Sequence, residues 1–245
     1  MNYAIIPAAG QGRRMGGTTA KQFLELAGEP ILVHTLRRFE ECPEIDAVIV
    51  ALPDGASAEF LQLASRAGLR KITRVIPGGA ERQESVGRAL ALVRAETAGV
   101  VVVHDAVRPF VTADQISAVV ERATEAGAAI LALRATDTVK EVDELGVVRT
   151  LDRSRVALAQ TPQAFRYAWL RDAFDRAVRE GWEVTDDASL VEQAGYRVEI
   201  VEGSPLNIKI TRPEDLELAA FIQAQLFGES HRPARPRRSG SRPRR

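Results

Sequence analysis

The stretch YAIIPAAGQGRRM, residues 3–15, joins a short apolar strand to a loop that contains small residues, two glycines and two adjacent arginines. Lys21 follows the loop after a further six residues. Glycines let a backbone approach phosphate groups closely, and the cations neutralise their charge. The stretch therefore predicts the first strand of an α/β sheet in a nucleotide-handling enzyme.

The loop differs from two common glycine-rich fingerprints. A dinucleotide-binding turn would have a third glycine at Met15, and a P-loop would continue with Gly-Lys-Ser or Gly-Lys-Thr. Arg13, Arg14 and Lys21 instead supply three cations, which suits a triphosphate that reacts at its α-phosphorus. An ordinary strand-to-helix turn with solvated arginines would show the same glycine spacing, so the loop alone leaves both interpretations open.

The composition is that of an ordinary soluble globular protein, with 45% hydrophobic and 27% charged residues. At 245 residues the chain has the length of one large α/β domain or two small ones. The single cysteine, Cys42, excludes an intramolecular disulfide, and three scattered histidines do not favour a structural zinc site. Neither an eighteen-residue apolar run nor a basic and apolar leader is visible, so we expect a cytoplasmic location.

Apolar runs alternate with amphipathic stretches along most of the chain. Most runs are nearly continuous valine, isoleucine and leucine, which is typical of strands buried on both faces of a parallel sheet. The predicted strands are Tyr3–Ile6, Ala47–Leu52, Ile72–Ile76, Val100–Val103, Ala128–Leu133, Val156–Ala159 and Tyr196–Val201. Helical spacing appears at residues 30–41, 57–67, 81–95, 112–125, 167–180 and 213–227. This order predicts a doubly wound, mostly parallel α/β sheet forming one domain over residues 1–228.

Residues 136–155 break this alternation, because polar and apolar residues alternate there around Asp143–Gly146 without a helical period. The pattern predicts a β-hairpin arm that projects from the sheet. A two-stranded ribbon is marginally stable by itself, so the arm should pack against something else. We therefore expect a homodimer formed through this arm.

Residues 229–245 form an arginine-rich tail, in which residues 230–245 contain seven arginines and no acidic side chain. A segment with almost no apolar surface to bury is expected to be disordered in isolation. Because no aromatic residue lies between the arginines, a solvated extension is favoured over a role in binding. A weak contact with nucleic acid, an acidic partner or an anionic surface remains the alternative.

Polar and glycine residues follow most of the predicted strands, at the edge where an open parallel sheet places its functional cleft. They are Gly78, Gly79, Ser85, Asp105, Arg108, Thr138, Lys140, Asp152, Arg153, Thr161, Thr185, Asp186, Asn207 and Lys209. Adjacent strand residues point to opposite faces, so His104 is expected in the core and not in a catalytic dyad with Asp105. Lys209 lies between two isoleucines, where a lysine is costly to bury without an anion, which favours a functional role.

Seven ordered motifs together identify a family: PAAGQGRRM with KQFL, GGAERQESV, HDAVRPF, ATDTVK, DR followed by QTPQAF, TDDAS, and NIKITRPEDL. On these motifs, residues 3–227 resemble the 2-C-methyl-D-erythritol 4-phosphate cytidylyltransferases of the non-mevalonate isoprenoid pathway. The resemblance implies a Rossmann-like nucleotidyltransferase fold and Mg²⁺-assisted cytidylyl transfer from CTP, which gives 4-diphosphocytidyl-2-C-methyl-D-erythritol and pyrophosphate. A cytidylyltransferase for another polyol phosphate, such as ribitol 5-phosphate, and a non-catalytic nucleotide-binding domain are the alternatives.

The resemblance also implies roles for individual residues. Arg14 and Lys21 would stabilise charge on the α-phosphate, and Lys209 and Arg153 would position the polyol phosphate, with Arg153 acting in trans across the dimer. The nucleotide would contact Ala8, Ala9, Gly10, Gly12, Gly79, Ser85, Asp105 and Ala106. The second substrate would contact Arg108, Thr138, Thr161 and Thr185. Asp105 would also be a ligand of a Mg²⁺ ion held mainly by the CTP phosphates.

Overall fold

The computed structural model describes residues 1–10 and 20–227 of the chain. The strands are β1 (Tyr3–Pro7), β2 (Glu25–Leu26), β3 (Glu29–Pro30), β4 (Ala47–Leu52), β5 (Ile72–Pro77), β6 (Val100–Val103), β7 (Ala128–Arg134), β8 (Lys140–Asp143), β9 (Gly146–Thr150), β10 (Ala157–Arg166) and β11 (Glu199–Glu202). The helices are α1 (Ile31–Glu41), α2 (Ser57–Arg66), α3 (Arg82–Leu90), α4 (Ala113–Ala126), α5 (Tyr167–Glu180), α6 (Asp187–Gln193) and α7 (Pro213–Phe227). Across these described ranges, no helix is both long and apolar enough to cross a bilayer.

Seven strands form the central sheet in the order β11-β7-β10-β6-β1-β4-β5. β1 pairs in parallel with β4 and β6, so that Ile5 lies between Ile49 and Val103. The β4–β5 and β7–β11 pairs are also parallel, whereas β10 runs antiparallel to both β6 and β7. The predicted doubly wound, mostly parallel α/β sheet is therefore confirmed.

The sheet is buried on both faces because successive side chains of its central strands enter two different hydrophobic clusters. Ile6 and Val50 pack into the cluster that α1, α2 and α4 cover. Ile5 and Ile49 pack into the cluster that α3, α5 and α6 cover. This double burial explains why the central strands read as continuous apolar runs in the sequence.

Three boundaries of the sequence-based prediction are wrong. β10 continues to Arg166 instead of ending at Ala159, because the QTPQAF segment fills the space between β6 and β7 after a register irregularity. β11 begins at Glu199, since the ring of Tyr196 stacks on Trp169 at 4.5 Å instead of entering the sheet. α3 ends at Leu90, and the seven-residue α6 was missed because it is too short to show a period.

β8 and β9 form a separate two-stranded antiparallel ribbon in which Lys140 lies opposite Thr150. The projecting hairpin is therefore present, with its paired part at residues 140–150. All of its side chains are exposed, including the apolar ones of Val142, Leu145 and Val147, of which Leu145 is 97% exposed. The ribbon thus presents apolar surface that the described part of this chain does not cover.

Two segments that carry sequence-based predictions lie outside the described residues. The first holds Gly12, Arg13 and Arg14 of the phosphate-binding loop, and the second is the arginine-rich tail. Their roles stay predictions, as does the cytoplasmic location.

Candidate functional site

A cleft opens at the carboxyl ends of β1, β5 and β6, where the sequence analysis expects the functional site. It brings together the predicted residues Ala8, Ala9, Gly10, Lys21, Gly79, Ser85, Asp105, Ala106 and Lys209. Its remaining described lining consists of Pro7, Gln22, Ala80, Glu81, Arg82 and Val107. One wall is thus mostly backbone of small residues, and the charged side chains come from the four segments that follow β1, β5, β6 and β11.

The segment after β1 is held in place by hydrogen bonds from two neighbouring elements. The amide of Ala8 donates to the carbonyl of Ala51 at 2.7 Å, which extends the pairing of β1 with β4. The fully buried side chain of Gln22 donates to the carbonyl of Ala8 at 2.5 Å. These two bonds fix the backbone of Ala8 where it lines the cleft.

The loop after β5 packs directly against the loop after β1. A Cβ atom on Gly78 would lie 2.2 Å from the Cβ of Ala9 and 2.9 Å from the hydroxyl of Ser85, so only glycine fits. The Ser85 hydroxyl accepts a hydrogen bond from the amide of Gly79 at 2.9 Å and lies 3.2 Å from the carbonyl of Glu81. Ser85 is therefore placed at the cleft as predicted, but its buried hydroxyl also shapes the loop.

Asp105 is the charged centre of the cleft. Its Oδ2 atom lies 3.0 Å from Lys209 Nζ and 3.2 Å from Arg108 Nε, and its Oδ1 atom lies 3.4 Å from Arg82 Nε. Burial alone would raise the pKa of Asp105, but Lys209, Arg82 and Arg108 together hold it well below its ordinary value. The carboxylate is therefore ionised at neutral pH and fixes the directions of three cations.

Arg82 extends this network away from the cleft to α6. Its Nη1 atom donates to the fully buried carboxylate of Asp187 at 2.7 Å. Burial alone would lower the pKa of Arg82. The combined attraction of Asp187 and Asp105 outweighs burial, so the net pKa of Arg82 lies above its ordinary value. Burial and repulsion from Asp186 and Asp105 raise the pKa of Asp187, against the attraction of Arg82.

Sequence reasoning gave no role to Arg82 or Asp187, although both lie inside the quoted motifs GGAERQESV and TDDAS. The signal that could have found them is a cation in the first motif, Arg82, and two adjacent aspartates in the second, Asp186 and Asp187. Their pairing joins residues 105 positions apart, which no local pattern predicts.

His104 lies in the core, as expected, with no exposed surface. Its Nε2 atom lies 3.0 Å from the carbonyl of Arg108, and its Nδ1 atom lies 3.0 Å from the hydroxyl of Thr161. Burial lowers the pKa of His104 to about 4, although the Arg108 carbonyl and Asp105 oppose this shift. The imidazole is therefore neutral at physiological pH.

Five described residues to which the family resemblance gives a role lie outside the lining of the cleft. Arg108 is mostly buried, and its guanidinium contacts Asp105 and the carbonyl of Asn207 at 2.8 Å. Thr161 is 5% exposed, and its hydroxyl accepts from the amide of Asp105 at 3.0 Å. Arg108 thus supports the carboxylate of Asp105, and Thr161 supports its backbone.

The other three of these residues are exposed in a single copy of the chain. Thr138 and Arg153 flank the paired part of the hairpin arm, and Arg153 Nη1 donates to the carbonyl of Thr136 at 2.6 Å. Thr185 lines a small separate pocket together with Arg82 and Asp187. Within one chain, therefore, Arg153 and Lys21 are not brought to the same cleft wall.

The carboxylate of Asp105 is the donor to consider for a metal ion in the cleft. No group of three or more His, Cys, Asp or Glu side chains in the described ranges could enclose a metal ion. Magnesium in nucleotide-dependent enzymes is bound mainly by phosphate and water, with one or two carboxylates. Asp105 on the cleft wall fits that limited role, and the donor set does not fit a metal enclosed by the protein.

Comparison with known proteins relates most of the chain to one enzyme family. The family model of 2-C-methyl-D-erythritol 4-phosphate cytidylyltransferase matches residues 2–225. The chain is 44% identical to the enzyme of that name from Acidobacterium capsulatum, over 91% of this chain and 97% of the relative. It is 47% identical to the one from Symbiobacterium thermophilum, over 89% of this chain and 91% of the relative.

Solved structures show the same likeness. The 2-C-methyl-D-erythritol 4-phosphate cytidylyltransferase of Thermus thermophilus is 37% identical, with a TM-score of 0.73 over 89% of this chain and 97% of that one. The 4-diphosphocytidyl-2C-methyl-D-erythritol synthase of Anaerococcus prevotii is 28% identical, with a TM-score of 0.79 over 90% of this chain and 94% of that one. The chain therefore belongs to the 2-C-methyl-D-erythritol 4-phosphate cytidylyltransferase family.

Proposed function

We propose that the protein transfers a cytidylyl group from CTP to 2-C-methyl-D-erythritol 4-phosphate, releasing pyrophosphate, as a step of isoprenoid precursor synthesis. The observation that carries this proposal is the meeting of Lys21 and Lys209 with Asp105 in a cleft walled by the backbone of Ala8 to Gly10. Family membership over residues 2–225 supports the choice of both substrates. A ribitol phosphate cytidylyltransferase is not favoured by either line of support.

The proposed chemistry needs positioning and positive charge more than a proton acceptor. The phosphate of the second substrate is already ionised at neutral pH, so its oxygen attacks the α-phosphorus without a general base. We assign stabilisation of the charge on the α-phosphate to Lys21, together with Arg14 from outside the described residues. Asp105 keeps Lys209 directed at the cleft, where its ammonium group would align the polyol phosphate.

The nucleotide is assigned to the backbone wall of the cleft. Ala8, Ala9, Gly10, Gly79 and Ala106 would contact the nucleotide with Ser85 and Asp105, and Gly12 would join them from the loop that is not described. When bound through the CTP phosphates, Mg²⁺ would neutralise charge on the triphosphate and assist the departure of pyrophosphate, with Asp105 as its protein ligand. Arg108 and Thr161 would serve the second substrate through Asp105, given their contacts with it.

We further propose a homodimer in which the arm of one subunit completes the site of the other. Val142, Leu145 and Val147 leave apolar side chains exposed on a ribbon too small to be stable alone. Arg153 is exposed at the base of this arm, and a guanidinium suits a phosphate because it donates two parallel hydrogen bonds. Arg153, Thr138 and Thr185 would then reach the polyol phosphate in the assembled dimer.

Initial rates of pyrophosphate release test the proposed substrates. CTP should be assayed against 2-C-methyl-D-erythritol 4-phosphate and ribitol 5-phosphate in parallel, and each reaction repeated with UTP. We expect the highest kcat/KM for CTP with the methylerythritol phosphate, because a site that hydrogen-bonds the cytosine amine leaves polar groups unpaired with uracil. Equal rates with ribitol 5-phosphate would contradict the assigned polyol, and equal rates with UTP would contradict the assigned base.

A further inference from the structure

The loop from Asp105 to Arg108 is tied at both ends to one buried imidazole, that of His104. The Nε2 atom of His104 is 3.0 Å from the Arg108 carbonyl, at the end of the loop. The Nδ1 atom is 3.0 Å from the Thr161 hydroxyl, which in turn accepts the amide of Asp105 at the start of the loop. The ring thus bridges the two ends of a segment that lines the cleft.

For a neutral His104, the hydrogen-bond partners leave only one arrangement of protons in this network. A carbonyl oxygen can only accept, so His104 Nε2 must carry the hydrogen that is donated to Arg108. In a neutral imidazole Nδ1 is then an acceptor, and the Thr161 hydroxyl must donate to it. A lone pair of the same hydroxyl remains to accept the amide of Asp105.

We propose that His104 is a positioning residue, which acts through Thr161 to hold the backbone of Asp105 in the conformation that the cleft requires. His104 has no exposed surface, and its ring packs at 5.1 Å from that of Phe39, so it does not touch a substrate. The functional half of this inference rests on the proposed cytidylyl transfer. The assignment of protons to His104 and Thr161 does not depend on that function.

The middle of the loop is fixed by hydrogen bonds that do not involve His104. The Thr35 hydroxyl donates to the carbonyl of Ala106 at 2.9 Å, and the amide of Ile210 donates to the carbonyl of Val107 at 2.9 Å. These two bonds hold the middle of the loop. The ends are joined by the Arg108 amide, which donates to the Asp105 carbonyl at 3.1 Å, and are tied to the core by the imidazole and Thr161.

NMR of the full chain with ¹⁵N-labelled histidine tests the proton arrangement without any assay of activity. The His104 signals are identified by their loss in the His104→Gln variant. We expect an imidazole protonated at Nε2, with a hydrogen-bonded Nδ1 whose shift changes in Thr161→Val and is restored in Thr161→Ser. A proton on Nδ1, or an Nδ1 shift unaffected by Thr161→Val, would overturn the proposal.

Two conservative variants separate the ends of the bridge in the transfer reaction. The amide of His104→Gln can still donate to Arg108, whereas the shorter amide of His104→Asn can still accept from Thr161. Because a displaced site group can cost up to about a hundredfold in rate, each variant should lower kcat/KM by about tenfold or more. Thr161→Ser keeps the hydroxyl of the bridge and should retain near-normal kcat/KM. Thr161→Val removes that hydroxyl and should lower kcat/KM as the His104 variants do.

His34 offers a matched control, because it is a second buried histidine whose Nε2 donates to a carbonyl, that of Leu26, at 2.6 Å. His34→Gln should lower thermal stability while kcat/KM stays within about twofold of wild type, since it does not support the cleft loop. Folded His104 variants with unchanged kcat/KM, or an equal loss in His34→Gln, would overturn the positioning role. If the wild type itself shows no cytidylyl transfer, the proposed function fails and the NMR result still decides the bridge.

Discussion

At the scale of single residues, Asp105 organises the cleft because one carboxylate faces Lys209, Arg108 and Arg82. Three cations without a central anion would repel one another and lose their fixed directions. The same residue would therefore serve stability and substrate positioning together. These two contributions can be separated by measuring unfolding without substrate, where only the contribution to stability is present.

Asp105→Asn should lower the free energy of unfolding by about 3 kcal/mol at neutral pH, because the mostly buried Arg108 loses its carboxylate partner. The pKa of Asp105 is lowered in the folded protein, so its stabilising contribution is complete above the unfolded pKa of about 3.9 and is lost as pH falls below it. Urea unfolding from pH 7 to pH 3 measures the gap between wild type and variant, which should stay constant to about pH 5 and then shrink.

The exposed Asp54 provides the control for that series. Asp54→Asn should change the free energy of unfolding by less than about 0.5 kcal/mol at neutral pH. A gap between wild type and Asp105→Asn that widens on acidification would show that the cations do not stabilise this carboxylate.

Lys21→Ala should remove roughly 2–4 kcal/mol of transition-state stabilisation and so lower kcat, while the fold stays intact. A cation that acts mainly on the charge developing at the α-phosphate appears in the rate more than in ground-state binding. Steady-state kinetics with CTP, together with circular dichroism, measures both effects.

Lys71 is a matched lysine with a structural task, since its Nζ donates to the carbonyls of Phe39 and Cys42 at the end of α1. Lys71→Ala should reduce the unfolding free energy by about 1 kcal/mol and leave kcat unchanged. If Lys21→Ala turned over CTP at a near-normal rate, the catalytic role assigned to Lys21 would be wrong.

At the scale of elements, the cleft exists because the loop after β5 touches the loop after β1. Gly78→Ala should cost about 1–3 kcal/mol in unfolding free energy, because its methyl group would meet Ala9 at 2.2 Å with no flexible neighbour to yield. Gly79→Ala should cost less, since its methyl group meets the exposed side chain of Glu84. Thermal and urea unfolding of both variants measure the difference, and equal losses would contradict the loop contact.

The elements that sequence predicted well are those whose environment is uniform along their length. β1, β4 and β6 are buried on both faces, so their apolar runs end where the strands end, or within one residue. The extension of β10 was not predictable, because its QTPQAF segment mixes polar and apolar residues, several of them buried by long-range contacts. Gln163, for example, is buried but bonds to Asp186 of a distant segment.

The same limit applies to the site. Glycines, Lys21, Asp105 and Lys209 could be predicted, because each follows a strand that ends at one rim. The internal tasks of Ser85 and Thr161 could not, since hydroxyl groups on a strand or helix give no sign of which amide they accept. Hydrogen bonds between segments that are distant in sequence thus decide which polar residues face the cleft and which support its loops.

At the scale of the whole molecule, the proposed dimer makes each site depend on two chains. Mixing Arg153→Ala with Lys21→Ala should restore activity to roughly a quarter of wild type, because random exchange makes half the dimers mixed and gives each one intact site. The two variants assayed separately are the controls. Demonstrated subunit exchange without returning activity would place Arg153 in the site of its own subunit.

The destination of the α-phosphate of CTP is the most direct test of the account as a whole. In a single-turnover reaction of the wild-type protein, CTP labelled at the α-phosphorus is incubated with 2-C-methyl-D-erythritol 4-phosphate and Mg²⁺. We expect the label to appear in 4-diphosphocytidyl-2-C-methyl-D-erythritol and the released pyrophosphate to be unlabelled. Label recovered only as CMP, or left in CTP, would contradict the claim that this cleft transfers a cytidylyl group.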